Sequence, residues 1–107
     1  MKKLILFLFL YSMYSHSYAV DTVATVKNVG SYGNGRIMVW VDTTIAEPGC
    51  SKTRFDIEAS NVNRKEWLSL LLTAATTGKK VSFRTIGCYG GFPTIDNSEN
   101  TYLYVTF

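Results

Sequence analysis

Apolar and polar residues alternate along much of this chain, a pattern typical of strands that bury one face. The alternation is clearest in residues 36–43, where β-branched apolar side chains recur at every second position: Ile37, Val39 and Val41. Neighbouring side chains of a strand point to opposite faces. This segment therefore predicts a half-buried strand, with Trp40 on its less buried face.

Four other segments have the composition and spacing of strands: residues 22–29, 53–57, 79–88 and 102–107. In the first of them the apolar spacing changes phase near Lys27, which predicts a bulge or a strong bend there. The side chains expected to point inward from the last three segments are Phe55, Ile57, Val81, Phe83, Leu103, Val105 and Phe107. An Asn34-Gly35 pair between the first two strands predicts a hairpin turn.

One helix is predicted over residues 64–77, where apolar residues become dense and no glycine or proline interrupts them. Asn63 is placed as its N-cap, and Glu66 three positions later approximates a capping box. Gly78 supplies the C-terminal stop. Residues 89–100, between the last two predicted strands, are expected to form a loop long enough to be functional.

The predicted helix carries apolar residues over an arc of about 200°, wider than the ~100° that packing on one core requires. We expect its inward set to be Leu68, Leu71, Leu72 and Ala75. Trp67, Leu70 and Ala74 are then available for a contact between subunits, since large exposed apolar patches on small soluble domains usually have partners. The alternative is a helix sunk deep in its own domain.

Three strands, a helix and two more strands, in this order, are the elements of the five-stranded OB-fold barrel. The chain is therefore predicted to be mostly β, a small five-stranded OB-fold barrel with one helix. No repeat, linker or low-complexity tract interrupts residues 20–107, so these 88 residues predict a single domain. A domain of this size buries only about 60–65% of its unfolded surface and is marginally stable without further help.

The first 19 residues predict a secretory signal peptide. Two lysines precede the apolar run of residues 4–10, and Ser17 and Ala19 occupy the two positions that a signal peptidase inspects. We therefore expect cleavage near Ala19 and a mature chain that is secreted or periplasmic. A membrane anchor is the alternative, but the run of seven apolar residues falls short of the ~20 that a spanning helix needs, so stable membrane insertion is not expected.

Loss of the leader changes both the charge and the chemistry of the chain. It removes two of the 11 Lys and Arg residues, so 9 remain against 8 Asp and Glu, and the formal net charge falls from +3 to +1. A nearly neutral domain is not typical of nucleic-acid-binding proteins, whose affinity depends on cations that neutralise phosphates. We expect no nucleic-acid partner.

Cleavage also removes His16, the only histidine, which excludes Ser-His and Cys-His catalysis. A hydrolase with paired carboxylates is the remaining enzymatic alternative. The carboxylates available to it are Asp42, Asp56, Glu58 and Asp96. They form no motif and are expected to be solvated, so we predict a protein that is not an enzyme and needs no cofactor or metal.

Cys50 and Cys88 are the only cysteines, and export delivers them to an oxidising compartment. An even count in this setting predicts one disulfide, which stabilises the fold by about 4 kcal/mol in the chain-entropy model. The start of the third strand and the end of the fourth lie at the same end of an OB barrel. The pairing is therefore compatible with the predicted fold.

A ligand site is predicted on the face of strands two and three and in the loops after strands one and four, which OB folds use to bind oligosaccharides and oligonucleotides. The polar and aromatic residues that these elements carry are Ser31, Tyr32, Asn34, Trp40, Tyr89 and Phe92. Aromatic faces are suited to stacking on sugar rings, and Ser31, Asn34 and Asn97 to hydrogen bonding. The alternative is that the aromatic residues only cover the end of the barrel.

Several features of the chain occur together: a leader, a short mature domain, a helix followed by Gly-Lys-Lys-Val at residues 78–81, the late Cys88 and an aromatic last strand. With this set the chain resembles the exported, disulfide-bonded OB-fold B subunits of bacterial toxins, especially the subtilase-cytotoxin and pertussis-like groups. The resemblance implies a non-catalytic pentamer, with helices around a central pore, that binds cell-surface glycans such as sialoglycans and delivers a separate catalytic A subunit. The alternative is a periplasmic or secreted protein-interaction module, such as an inhibitor or accessory factor.

Overall fold

The computed structural model describes residues 19–107, so all of the predicted leader except Ala19 lies outside the described residues. These residues form seven strands and one helix. In chain order they are β1 (Ala19–Ser31), β2 (Ile37–Ile45), β3 (Lys52–Ile57), α1 (Arg64–Thr77), β4 (Lys80–Ile86), β5 (Cys88–Tyr89), β6 (Phe92–Ile95) and β7 (Tyr102–Val105). The strands join into one sheet in the order β5-β6-β3-β2-β1-β4-β7. No helix within this range is long and apolar enough to cross a membrane.

Strand β1 belongs to both halves of the sheet, because it changes partner along its length. Up to Thr25 it pairs antiparallel with β4, and beyond that point it pairs antiparallel with β2. The register with β2 shifts between Val26 and Asn28, so the bulge predicted near Lys27 is confirmed. A bulge bends a strand and increases its twist, which allows the sheet to curl around one core.

The chain itself connects the two sides of the curled sheet. Strand β3 pairs in parallel with β6, β4 pairs antiparallel with β7, and only residues 96–101 separate β6 from β7. The sheet is therefore a curled half-barrel rather than an open layer. The predicted fold class is confirmed: the described chain is mostly β, with an OB-like barrel and one helix.

Two short strands occupy part of the segment expected to be a loop. Strands β5 and β6 form a hairpin in which Tyr89 lies opposite Phe92. Gly90 and Gly91 make its two-residue turn with φ angles of 62° and 84°, a left-handed backbone that glycine adopts without strain. The expected loop over residues 89–100 is wrong for its first half, because strands of two and four residues are too short to show an alternation.

The core lies between the sheet and the helix. Its buried apolar side chains are Ala24, Val26, Ile37, Val39, Val41, Ile45, Phe55, Ile57, Leu71, Ala74, Val81, Phe83, Ile95 and Leu103. The rings of Phe55 and Phe83 stack with centroids 4.1 Å apart, which joins β3 to β4 through the interior. The predicted inward faces are confirmed except at the end of the chain, where Phe107 lies beyond β7 and is 73% exposed.

Helix α1 packs a different face on the core from the one expected. Leu71 is buried and Leu68 packs against the core, as predicted. Leu72, 49% exposed, and Ala75, also exposed, do not face inward, so the prediction is wrong for both. Ala74 is completely buried, so the prediction that it is available for a contact between subunits is wrong; its small side chain lets the helix approach β1. Trp67 and Leu70 pack against the core and are half-buried, which leaves part of each side chain for such a contact.

The two ends of α1 differ in how well the sequence predicts them. Asn63 occupies the N-cap position but makes no side-chain capping bond, so the expected capping box is wrong. Asn61 holds the chain before the helix instead. Its Oδ1 accepts from the Asn63 N–H at 2.8 Å, and its Nδ2 donates to the Asp96 carbonyl at 2.8 Å. The predicted stop at Gly78 is confirmed, with φ of 71°.

The predicted disulfide between Cys50 and Cys88 is confirmed. The two Cα atoms are 6.1 Å apart and the residues are 38 positions apart in sequence. Cys50 precedes β3 and Cys88 begins β5. The bridge therefore ties the β5–β6 hairpin to the start of β3.

We expect that replacing both cysteines (Cys50→Ser with Cys88→Ser) lowers the free energy of unfolding by about 4 kcal/mol, because the unfolded chain regains the freedom that the loop closure removed. Urea denaturation followed by tryptophan fluorescence measures this. The parent protein in reductant serves as the control and should unfold at the same urea concentration as the double variant. An unchanged midpoint in the double variant would contradict the expected role.

Candidate ligand-binding site

The face of β2 and β3 that points away from the core carries a group of charged side chains. Arg54 and Asp56 are two positions apart on β3, so they share a face of the strand. In the β2–β3 register Trp40 lies opposite Arg54 and Met38 lies opposite Asp56. Arg36, two positions before Met38, continues the same face of β2. The alternation that places apolar residues in the core thus places these charges on its outer side.

Asp56 binds both arginines. Its Oδ2 accepts from Arg36 Nε at 2.9 Å, and its Oδ1 accepts from Arg54 Nε at 2.8 Å. Arg54 Nη2 donates to Asp56 Oδ2 at 3.0 Å and to the Tyr32 hydroxyl at 3.0 Å. Arg36 Nη2 donates to Thr94 Oγ1 on β6 at 3.2 Å. One carboxylate therefore orients two guanidinium groups that come from different strands.

The cluster is buried and carries an excess of positive charge. Asp56 is 2% exposed, Arg36 8% and Arg54 9%, so the expectation that this carboxylate is solvated is wrong. Two cations against one anion leave a net charge of +1. Burial by itself lowers the pKa of the Arg54 guanidinium, but the hydrogen bonds to Asp56 and Tyr32 outweigh burial and raise that pKa above its usual value. Arg54 therefore carries its positive charge at neutral pH.

Aromatic rings cover the flat faces of both guanidinium groups. The Arg36 Cζ atom lies 4.2 Å from the centroid of the Tyr89 ring. Arg54 Cζ lies 3.7 Å from the Phe92 centroid and 5.1 Å from that of Trp40. Attraction between a cation and the electron-rich face of a ring is worth about 0.5–2 kcal/mol, with the larger values at desolvated sites. The rings thus stabilise charges that water reaches poorly.

Two adjoining cavities open beside this cluster. The first has a volume of about 370 Å³, and its walls include Tyr32, Asn34, Arg36, Asp56, Tyr89 and Phe92. The second, of about 310 Å³, adds Glu58, Ala59 and Ser60. Asn34, Arg36 and Tyr89 line both cavities. These volumes lie at the small end of the range for sites that bind small molecules, roughly 300–1,000 Å³.

The β1–β2 loop is held rigidly where it lines the first cavity. The Tyr32 N–H donates to the Arg36 carbonyl at 2.8 Å, and the Gly35 N–H donates to the Tyr32 carbonyl at 3.0 Å. Asn34 Oδ1 accepts from the Arg36 N–H at 3.0 Å. The predicted hairpin between β1 and β2 is confirmed, with Gly33 and Asn34 at the centre of its turn. Gly35 has φ of 93°, and a Cβ atom there would collide with the Arg64 guanidinium. The loop therefore presents Tyr32 and the Asn34 side-chain NH₂ group in one fixed geometry.

The structure brings together four of the six residues predicted to bind a ligand. Those that line the first cavity are Tyr32, Asn34, Tyr89 and Phe92. Trp40 does not line the first cavity, but its ring packs against Arg54 of the charged cluster. Ser31 is exposed, and its hydroxyl donates to the Tyr32 carbonyl at 3.0 Å rather than facing either cavity. Asn97 lies elsewhere, where its Oδ1 accepts from the Val62 N–H at 3.2 Å. Ligand binding by these residues stays a prediction.

Sequence reasoning missed the charged part of the site, namely Arg36, Arg54 and Asp56. A signal was present: Arg54 and Asp56 alternate with Phe55 and Ile57, so β3 carries opposite charges on the face away from its apolar residues. From the sequence alone, such an arrangement is indistinguishable from an ordinary ion pair on the protein surface. Only the register with β2 and the covering β5–β6 hairpin show that the pair is buried.

Among residues 19–107, no group of three or more His, Cys, Asp or Glu side chains is arranged to hold a metal ion. We compared the sequence with models of known protein families and with curated proteins, and neither comparison gave a match. The site is therefore interpreted from its own geometry.

We expect Asp56→Asn to lower the free energy of unfolding by about 3–5 kcal/mol, because removal of one member of a buried ion cluster leaves charges without compensation. Urea denaturation measures the effect. Glu99→Gln, which removes the same charge from an exposed loop position, is the matched control and should change stability by less than about 0.5 kcal/mol. Equal stability of the two variants would show that Asp56 does not hold the arginines.

Proposed function

We propose that this protein is a secreted, non-catalytic, glycan-binding subunit that recognises acidic cell-surface oligosaccharides such as sialoglycans. The observation that carries the proposal is the first cavity, whose walls combine aromatic rings with an arginine held in place by Asp56. Sugar-binding sites need an apolar wall for the ring and a few oriented polar groups for the hydroxyls. Tyr89 and Phe92 supply the wall, and the amide of Asn34 supplies a donor.

The charge of the site favours an anionic ligand over a neutral one. Arg36 lines both cavities, and the cluster to which it belongs has a net charge of +1. A guanidinium group presents a planar fork of donors that matches a carboxylate. Within residues 19–107, Asp56 and Thr94 engage Nε and Nη2 of Arg36, so its Nη1 is the group we assign to a carboxylate of the ligand.

The size of the site favours more than one sugar residue. The two cavities share the wall formed by Asn34, Arg36 and Tyr89, and together they extend from Phe92 to Ser60. An acidic sugar in the first cavity would therefore have its neighbour in the second. There the Glu58 carboxylate, which accepts from the Ser60 hydroxyl at 3.2 Å, has further lone pairs for sugar hydroxyl groups.

The resemblance to toxin B subunits extends the proposal to assembly. We propose that the subunit forms a pentamer through α1 and that the assembly carries a separate A subunit. Leu72 supports a contact through this helix, because it is a large apolar side chain that is 49% exposed. The half-buried Trp67 and Leu70 lie on the same helix, about 140° and 160° around its axis from Leu72, so they would belong to a second contact, with the other neighbouring subunit of the ring.

A protein-interaction module is the second candidate, and a specific surface favours it. On the outer face of β1, β4 and β7, Val23 lies opposite Ser82, which in turn lies opposite Tyr104. Val23 and Tyr104 are both exposed. Beside them Arg84 and the Tyr102 hydroxyl bind Asp21 and hold the pKa of that carboxyl below its usual value. An apolar patch with a charged rim is typical of protein contacts.

We expect the purified mature protein, verified as an oligomer by native mass spectrometry, to bind acidic glycans selectively on a glycan array. Tyr89→Ala should weaken this binding at least about tenfold, since it removes an aromatic wall worth ~1.4 kcal/mol or more. Tyr104→Ala is the control, because it removes another exposed tyrosine, one that lies on β7 and lines neither cavity. Absence of selective binding by the verified oligomer, or equal losses in both variants, would contradict the proposal.

Leu72→Glu is expected to dissociate the oligomer into folded monomers, because it places a charge in an apolar contact. Native mass spectrometry measures the assembly, and circular dichroism checks the fold. Asn100→Glu adds the same charge at an exposed loop position outside the helix and should leave the assembly intact. A parent protein that is strictly monomeric would favour the interaction module instead.

A further inference from the structure

A second buried carboxylate lies at the far end of β2 from the ligand-binding site. Glu47, in the turn between β2 and β3, is completely buried. Its Oε1 accepts from the Thr85 hydroxyl on β4 at 2.7 Å. Its Oε2 is also buried and finds no hydrogen-bond donor among residues 19–107. Buried polar groups are nearly always hydrogen-bonded, and an unpaired one costs about 1–3 kcal/mol or more when it is charged. The geometry therefore points to a missing partner.

Val20 pairs with the residue whose hydroxyl binds this carboxylate. Val20 is directly opposite Thr85 in the β1–β4 pairing, and opposed residues of antiparallel strands have Cα atoms only about 4.5–5.5 Å apart and side chains on the same face. Thr85 thus links the two residues: its hydroxyl binds the Glu47 carboxylate, and Val20 is its partner on the neighbouring strand. Val20 also packs against the core, which keeps the beginning of β1 in place.

Removal of the leader would create a cation at this position. Hydrolysis of the Ala19–Val20 peptide bond adds one water molecule, leaving a carboxylate on Ala19 and an α-ammonium group on Val20. An ammonium group has three N–H donors and a positive charge. It could therefore supply the hydrogen bond and the opposite charge that Glu47 Oε2 lacks among residues 19–107. We propose that Glu47 is the binding site for the α-ammonium group of the processed chain, and that this ion pair forms only after the leader is cleaved.

The pair links processing to the stability of the barrel. In the uncleaved chain Val20 has a neutral amide nitrogen, so it offers Glu47 no charge. In the processed chain the ion pair fastens the start of β1 to the turn that follows β2 and, through Thr85, to β4. Strand β1 is the one that both halves of the sheet share. The inference rests on cleavage after Ala19, as the sequence predicts, and is independent of the proposed glycan binding.

The test compares the exported parent protein with a variant in which Gly-Ser is inserted between Ala19 and Val20. The peptidase then leaves two extra residues, which move the ammonium group away by roughly 7 Å without changing any native side chain. Both proteins are also made with Glu47→Gln. We expect the insertion to lower the melting temperature by more than about 4 °C in the parent background and by less than about 1 °C in the Glu47→Gln background.

An insertion variant as stable as its parent, or equal losses in the two backgrounds, would overturn the inference. N-terminal sequencing of each exported protein comes first, and cleavage at another bond in the parent overturns it as well. Should Glu47→Gln fail to fold, acetylation of the α-amino group with acetic anhydride gives a second readout. The parent amine is expected to react at least tenfold more slowly than the amine of the insertion variant, and equal rates would again exclude the ion pair.

Discussion

The carboxylate of Asp56 is the interaction on which the candidate site depends, because it binds both Arg36, directly before β2, and Arg54 of β3. Arg36 continues to Thr94 on β6, so the same cluster ties β2, β3 and β6 together. The parallel pairing of β3 with β6 covers only two residue pairs. The polar cluster therefore contributes to closing the half-barrel on this side, and the rigidity of the site and the closure of the sheet have the same cause.

A buried group with a net charge of +1 is costly unless something nearby offsets it. Here the offset comes from the rings of Tyr89, Phe92 and Trp40, which face the guanidinium groups, and from partial access to water through the cavities. Rings and cations thus stabilise each other, and the aromatic wall is already ordered before any ligand arrives. Ordering the wall in advance lowers the entropy that binding has to overcome. The excess positive charge of the buried cluster is also the feature on which the proposed preference for an anion rests.

How well the sequence predicts a feature of this structure depends on whether the feature is set by neighbouring residues or by residues far apart in the chain. Alternation and turn residues are local, so the inward faces of the strands, the bulge near Lys27 and the helix bounds are predicted well. The rotation of α1 is not, since its apolar arc allows several orientations and the sheet selects the one that buries Ala74 instead of Leu72. The aromatic residues of the site are predicted as well, because they lie in the loops and strands that OB folds use to bind ligands. The Arg36–Asp56 contact depends on the register of β2 with β3, which alternation alone leaves open.

Asp56 and Glu47 are both buried carboxylates, and the difference between them is informative. Asp56 has two cations within hydrogen-bonding distance, while Glu47 has one hydroxyl and an oxygen unpaired within residues 19–107. The nine residues of β2 separate the two ends of the barrel where they lie. The buried cluster around Asp56 thus has a surplus of positive charge and the buried Glu47 a surplus of negative charge, and a low-dielectric interior tolerates neither unless it is compensated. Both proposals rest on this need for compensation: an anionic ligand near Asp56, and near Glu47 the ammonium group that cleavage of the chain would create.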